Sequence, residues 1–280
     1  MVVVEDDAGE THHCLVRKRL GRIVCGDRVR WRPTADGQGL VVDLAPRHNL
    51  LSRPDPSGRP RPLAANIDRV VIVVAPEPPF QPGLVDRYLV AVENLGSEAL
   101  LLLNKTDLLS PEALAAQLRT LDAFRALGYD LIHLSAHQPA SLPPLVAKLA
   151  GSTAILVGQS GVGKSSLVAA LVPDLDIRID QLSAASGQGR HTTTETTLYH
   201  LPDGGALIDS PGVRDFQLWH LDPAALVRGF REIAALAPHC RFRDCRHEGE
   251  PGCAVAEAAR AGRISDRRLE SYRALRRQRE

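Results

Sequence analysis

The sequence predicts a multidomain protein: a small N-terminal β-barrel, a central α/β domain on a mostly parallel sheet, and a C-terminal α-helical domain around a metal site. Three observations carry this reading. Short strands of alternating polarity fill the first fifty residues, apolar strands alternate with longer helical segments from about residue 65, and a Cys/His cluster interrupts an arginine-rich helical tail. With 280 residues and 44% hydrophobic composition, the chain can build one sizeable core and smaller appended domains.

Between residues 14 and 51, Arg28, Arg30 and Arg32 fall on one face of a strand. Val29 and Trp31 fall on the other, which places Trp31 toward a core, and Asp36-Gly37 makes a turn before a strand at 40–44. The Pro- and Arg-rich run 52–62 reads as a linker. Beyond it, strands are expected at 70–74, 99–103, 131–134 and 154–157, and helices at 84–95 and 111–127. Residues 196–209 read as a hairpin turning at Asp203-Gly204-Gly205. The expected domains are therefore 1–64 with its linker, 65–222, and 223–280.

The net charge of +1 is unevenly spread. Residues 1–65 hold 11 basic against 8 acidic side chains, residues 66–222 hold 10 against 17, and residues 223–280 hold 13 against 8. Basic flanks around an acidic centre suit a protein that grips a polyanion with its outer domains. No apolar stretch approaches the roughly 20 residues needed to cross a bilayer, and the first ten residues are acidic, unlike a secretion signal. A cytoplasmic protein with no membrane partner is expected, and no long exposed apolar segment demands a second subunit, so a monomer is expected too. Five cysteines without a secretory signal argue against a disulfide framework, and Cys14 and Cys25 are expected simply to pack.

The chemistry is carried by short motifs. Gly158-Gln159-Ser160-Gly161-Val162-Gly163-Lys164-Ser165, followed by Ser166, satisfies G-x-x-x-x-G-K-S between a strand and a helix. In that setting backbone N–H groups cradle phosphates, Lys164 reaches the β and γ oxygens, and Ser165 binds Mg²⁺. Asn104-Lys105-Thr106-Asp107 follows another strand and selects the base. The Asp107 carboxylate accepts from the N1–H and N2 amine of guanine, Lys105 lies over the ring and Asn104 ties neighbouring loops; adenine lacks both donors. Ser135-Ala136, at the end of the next strand, is expected to offer a backbone N–H to guanine O6. Asp209-Ser210-Pro211-Gly212 ends the strand 206–208, where Asp209 serves the Mg²⁺ shell and the Gly212 N–H touches the γ-phosphate. Between these lies Gly187-Gln188-Gly189-Arg190-His191-Thr192-Thr193-Thr194, a switch segment with Thr193 as the first choice of Mg²⁺ ligand and Thr194 the second.

These motifs resemble those of small GTPases, in which the order is P-loop, switch threonine, D-x-x-G, N-K-x-D, S-A. Here N-K-x-D and S-A come first, so the GTPase core is circularly permuted. Compact domains tolerate this because their termini often lie close together. The last cluster, Cys240-x₄-Cys245-x-His247-x₅-Cys253, sets three thiolates and an imidazole within 14 residues. That donor set suits one structural, fully protein-ligated Zn²⁺.

From Val24-x-Gly26-Asp27-Arg28-Val29 through the Cys/His cluster, the chain is similar to the ribosome small-subunit-dependent GTPase A family. The resemblance implies an OB-fold, a permuted P-loop GTPase domain and a zinc domain. It also implies late maturation of the 30S subunit through 16S rRNA, with slow GTP hydrolysis to GDP that the subunit stimulates. Val213 stands where Ras-like enzymes place a water-orienting glutamine, and the resemblance points to His191 as the catalytic replacement, alongside Lys164 and Thr193. The short acidic start lacks the longer basic arm of many relatives. Contacts from Arg28, Arg30 and Arg32, and from Arg260, Arg263, Arg267 and Arg268, are expected to meet RNA phosphates. Two alternatives stay open from the residues alone: a GTP-switched module acting on another RNA or protein client, and an ATP-using enzyme on the same loop.

Overall fold

The computed structural model describes residues 1–35, 37–55, 57–172, 196–209 and 222–278. Strands β1 Val2–Glu5, β2 Thr11–Val16, β3 Val29–Pro33 and β4 Gly39–Leu44 form a sheet in the order β1-β2-β4-β3, with only β2 and β4 parallel. Period-2 alternation turns Val4, Cys14 and Val41 inward, with Trp31 packed against them and its ring 4.2 Å from that of His12. A register shift between Arg30 and Trp31 interrupts β3, and Arg30 and Arg32 stay exposed. Arg30 pairs with Asp43 at 3.0 Å. Burial pushes the Cys25 thiol up to about 12, as expected for a packed cysteine. Of the expected turn, Asp36 lies outside the described residues.

The linker expected at 52–62 is instead a hairpin. β5 Leu50–Pro54 pairs with β6 Pro60–Ala65 through Ser52 with Pro62, Arg53 with Arg61 and Pro54 with Pro60. Prolines are tolerated because this two-stranded ribbon is all edge, where a missing N–H costs no ladder bond. Its turn is closed by Asp55, whose Oδ1 accepts the N–H of Ser57 at 2.8 Å and of Arg59 at 3.0 Å. A bridge between Cys25 and Ala64 joins the ribbon to the first sheet's connecting segment.

The centre is a six-stranded sheet in the order β11-β12-β10-β7-β8-β9. It comprises β7 Arg69–Val74, β8 Glu98–Leu103, β9 Asp130–His133, β10 Thr153–Val157, β11 Thr197–His200 and β12 Ala206–Asp209, parallel except for β11. The near-continuous apolar strands are explained by helices on both faces. Val70, Ile72, Leu101 and Leu103 pack against α1 Pro82–Leu95 and α2 Pro111–Arg125. Val71, Val73, Leu100 and Leu102 pack against α3 Pro143–Leu149 and α4 Lys164–Leu171. The expected hairpin at 196–209 is present as β11 and β12.

Helices α5 Pro223–Arg228, α6 Arg231–Leu236, α7 Ala254–Arg260 and α8 Asp266–Arg277 form the C-terminal region. Their core of Leu226, Phe230, Ile233, Val255, Leu269 and Tyr272 includes Val90 of α1. An ion cluster reinforces this seam. Asp86 of α1 is fully buried and accepts from Arg267 Nη1 and Arg268 Nη1, both at 2.6 Å. Arg268, 2% exposed, also donates to Glu232 at 2.6 and 3.0 Å and lies 4.4 Å from the Phe230 ring centroid. Arg267 and Arg268, read from the sequence as phosphate contacts, are therefore spent on internal pairing. The acid that binds them lies some 180 residues upstream, beyond the reach of helix periodicity. Arg260 and Arg263 remain exposed.

Removing one partner of a buried ion pair costs about 3–5 kcal/mol. Asp86→Ala is expected to lose stability on that scale in urea unfolding monitored by circular dichroism. A change within error of zero would show that the cluster contributes nothing net to the seam.

Candidate nucleotide site and metal centre

The motif loops gather at the carboxyl ends of the parallel strands. β10 leads into the loop 158–163 and then into α4, whose N-terminal turn begins at Lys164. Two glycines there answer to geometry. Gly158 has φ 145°, and a Cβ on it would sit 2.3 Å from the Val73 carbonyl oxygen; Gly163 has φ 92°, and its Cβ would sit 2.3 Å from Asn104 Nδ2. The loop is thus pressed against the ends of β7 and β8. Lys164 Nζ curls back to donate to the carbonyls of Gly158 at 2.7 Å and Gln159 at 2.6 Å. Ser160, Gly161 and Ser165 are exposed, Gln159 and Ser166 are half-buried, and Val162 is buried in the core beneath the loop.

Asn104, 1% exposed, joins three motifs. Its Nδ2 donates to the Val162 carbonyl at 2.9 Å, and its Oδ1 accepts the Ala136 N–H at 3.1 Å. Lys105 adopts a left-handed backbone, φ 60°, and its Nζ donates to the Glu77 carbonyl at 2.9 Å. The Thr106 N–H donates to the Leu134 carbonyl at 3.3 Å, and Asp107 stands exposed in the short turn Thr106–Leu108. Asp209 ends β12, whose Ile208 is in register with Ile155 of β10, so its exposed carboxylate lies on the P-loop side of the sheet.

The backbone N–H groups of Ser135-Ala136 have partners within the protein. The Ser135 N–H donates to Ser141 Oγ at 3.1 Å, the Ala136 N–H to Asn104, and the His137 N–H to Ser135 Oγ at 3.2 Å. A base carbonyl would have to share the Ala136 donor with Asn104. Serine hydroxyls thus take the N–H groups of Ser135 and His137. His191, Thr193, Thr194, Gly212 and Val213 lie outside the described residues.

Cys240, Cys245, His247 and Cys253 bring their donor atoms within 4.8 Å of one another. Cys240 Sγ and Cys253 Sγ lie 3.6 and 3.4 Å from His247 Nδ1, and 4.0 Å from each other. Donors about 2.0–2.3 Å from a tetrahedral ion stand roughly 3.5–3.8 Å apart, so this set is gathered closely enough to take a metal ion after a small contraction. Burial lowers the His247 pKa, which keeps the imidazole neutral as a ligand must be. Burial pushes the Cys245 thiol up to about 12, against the backbone N–H of His247, which lowers it.

The loop around His247 is held from outside. His247 has φ 62°, uncommon for a residue with a side chain. Its carbonyl accepts from Arg273 Nε at 3.0 Å and Nη2 at 2.8 Å. Glu250 accepts the N–H groups of Arg246, Glu248 and Gly249 at 2.6, 2.8 and 3.1 Å. Burial raises the pKa of that carboxyl, yet its own N–H and those of Arg246 and Glu248 hold it at about 2.

The sequence profile of the RsgA GTPase family matches residues 44–219. The chain belongs to the RsgA GTPase family. It is 51% identical to the small ribosomal subunit biogenesis GTPase RsgA of Chromohalobacter salexigens, over 97% of this chain and 80% of that protein. It is 50% identical to the protein of the same name from Azotobacter vinelandii, over 95% and 78%. Among solved structures, YjeQ from Thermotoga maritima superposes with a TM-score of 0.81 at 31% identity, covering 98% of this chain and 92% of that one. YloQ, described as a circularly permuted GTPase, gives 0.75 at 28% identity, covering 98% and 88%.

The permutation expected of an RsgA-family chain is visible in the sheet. β7, β8 and β9 precede the P-loop strand β10 in the chain yet lie on one side of it, while β12 and β11 follow it and lie on the other. α3 provides the connection between the two runs. Sequence reasoning missed the segment after β7. Glu77 holds Lys105 through its carbonyl, and Pro78 Cδ lies 3.4 Å from where a Gly161 Cβ would stand. The available signal was position, since this segment ends a parallel strand of the sheet that carries the other motifs.

Two outcomes follow. Asn104→Ala leaves the Val162 carbonyl and the Ala136 N–H unpaired, a cost of about 1–3 kcal/mol, and is expected to weaken GDP binding about tenfold in fluorescent-nucleotide titration. Arg273→Met is expected to lower zinc affinity about 10–100-fold in chelator competition, with the helical circular dichroism of the zinc-saturated protein unchanged.

Proposed function

We propose that this chain is a GTP hydrolase that assists late maturation of the 30S ribosomal subunit, slow alone and accelerated by that subunit. The observation that carries the reading is the pair of hydrogen bonds of Asn104, which fastens the base-reading loop to the phosphate-binding loop at Val162 and to the Ser135-Ala136 turn at Ala136. One ligand with both a guanine and a polyphosphate answers to both loops at once.

In this reading Asp107 accepts from guanine N1–H and N2, and Lys105 flanks the ring. The amides of 158–163 surround the phosphates, with Ser166 at the start of α4 beside them. Lys164 exchanges the carbonyls of Gly158 and Gln159 for phosphate oxygens. Mg²⁺, when bound, neutralises β- and γ-phosphate charge; Ser165, Asp209 and Thr193 are the residues to hold it. The Gly212 N–H meets the γ-phosphate, and His191 orients the attacking water where Val213 has no polar group to do so. The Cys₃His cluster takes one structural Zn²⁺. The N-terminal strands are read as an OB-fold whose exposed Arg28 and Arg32 face 16S rRNA. A cytoplasmic monomer completes the proposal.

GTP turnover measured with purified 30S subunits, with 50S subunits and with neither is expected to rise only with 30S. A flat response across the three would remove the ribosomal role while leaving the GTPase. Asp107→Asn is expected to abolish the preference for GTP over other nucleoside triphosphates in competition binding. His191→Ala should keep GDP affinity and lose about 100-fold or more of the stimulated rate; full stimulated turnover in that variant would make His191 an ordinary loop residue.

A further inference from the structure

One exposed feature of the metal loop has no part in the proposed activity. Between the donors Cys240 and Cys245 runs Arg241-Phe242-Arg243-Asp244, and all four residues are exposed. Phe242 is 43% exposed and is the one aromatic among the large apolar side chains left to solvent in the described residues. The loop gives it no route inward. The Arg241 N–H donates to the Gly252 carbonyl at 3.0 Å, and the Phe242 carbonyl accepts the Cys245 N–H at 3.3 Å. The backbone is therefore pinned on either side of the ring, while Cys240 and Cys245 turn toward the metal centre.

The charges around the ring are of one dominant sign. The Arg241 guanidinium lies 5.5 Å from the Phe242 ring centroid. Neither Arg241 nor Arg243 forms an ion pair among the described residues. A flat apolar ring on a stiff loop, flanked by cations without acidic partners, fits a ligand that offers a π-face and phosphates together. An unpaired nucleotide has both. The apolar pocket of a protein partner would accept the ring, but it would leave Arg241 and Arg243 unanswered.

We propose that the Arg241-Phe242-Arg243 tip of the metal loop is an RNA contact, with Phe242 stacking on an unpaired base and the two arginines meeting the adjoining phosphates. The ring loses little freedom on docking because the loop is already fixed, so the stacking free energy is not offset by ordering. The identity of the RNA as that of the small subunit rests on the proposed function; the stacking itself does not.

The test uses the full-length zinc-loaded protein and its Phe242→Ala, Phe242→Trp and Arg241→Ala/Arg243→Ala variants. Binding is measured to purified 30S subunits and, separately, to a single-stranded oligoribonucleotide. Phe242→Ala is expected to weaken both about tenfold, and Phe242→Trp to retain parental affinity. The double arginine variant is expected to lower the salt dependence of oligonucleotide binding by a slope of about 1.4. Zinc content and turnover without subunits should match the parent in all three, which separates loss of contact from loss of fold. Parental affinity of Phe242→Ala for the oligonucleotide would overturn the proposal. So would a photo-cross-linking amino acid at position 242 that labels ribosomal protein and not rRNA. If the parent fails to bind 30S subunits but Phe242→Ala still weakens oligonucleotide binding, the ribosomal reading falls and the stacking contact stands.

Discussion

The amide of Asn104 is the fastening on which the nucleotide site depends. The loops 104–107 and 158–163 stand more than fifty positions apart in this chain, on strands that do not touch, since β8 and β10 flank β7. Packing of the sheet brings their loops near one another. A buried side chain bonded in both directions, to the Val162 carbonyl and the Ala136 N–H, then sets their spacing. Gly163 is required for the same reason, because any side chain there would collide with the amide. Pro78 and the Glu77 carbonyl complete the arrangement from β7, so the ends of three strands are tied together. Permutation leaves this intact because every tie is non-covalent. The connectivity of the strands can be reordered so long as their adjacency is kept.

Much of this was legible because the decisive signals are local. The apolar runs of β7, β8 and β10 announce a doubly covered sheet, and the Cys/His spacing brings four donors together. What was illegible depends on partners distant in sequence. Residues 52–62 look like a linker by their prolines, yet they form a ribbon whose edge has no use for the missing N–H groups. Arg267 and Arg268 look like a basic surface until Asp86 is placed beside them. In each case residue type indicated a capacity for hydrogen bonding, and tertiary packing decided where that capacity was used.

The metal centre shows the same dependence on support from elsewhere. Its four donors come from one short stretch, but the loop that carries His247 is held in a left-handed turn by Arg273 of α8 and by the Glu250 carboxylate. α8 also carries Arg268, which is anchored to α1, and α1 packs under the sheet that bears the nucleotide loops. Metal loop and nucleotide site thus share a continuous mechanical frame through α1. This frame exists in addition to the direct chain connection between β12 and α5.

Helix α1 serves two cores at once, giving Val85, Leu89 and Val92 to the sheet and Val90 and Asp86 to the C-terminal helices. A chain cut at residue 222 would expose a valine that is now dry and strand a carboxylate whose counterions had been removed with the tail. The sequence divides into modules at that point, but the folding unit does not. Such an arrangement resists modular exchange: a foreign C-terminal domain could be grafted here only together with the face of α1 that matches it. The helical tail and the nucleotide domain would therefore be inherited as a single block.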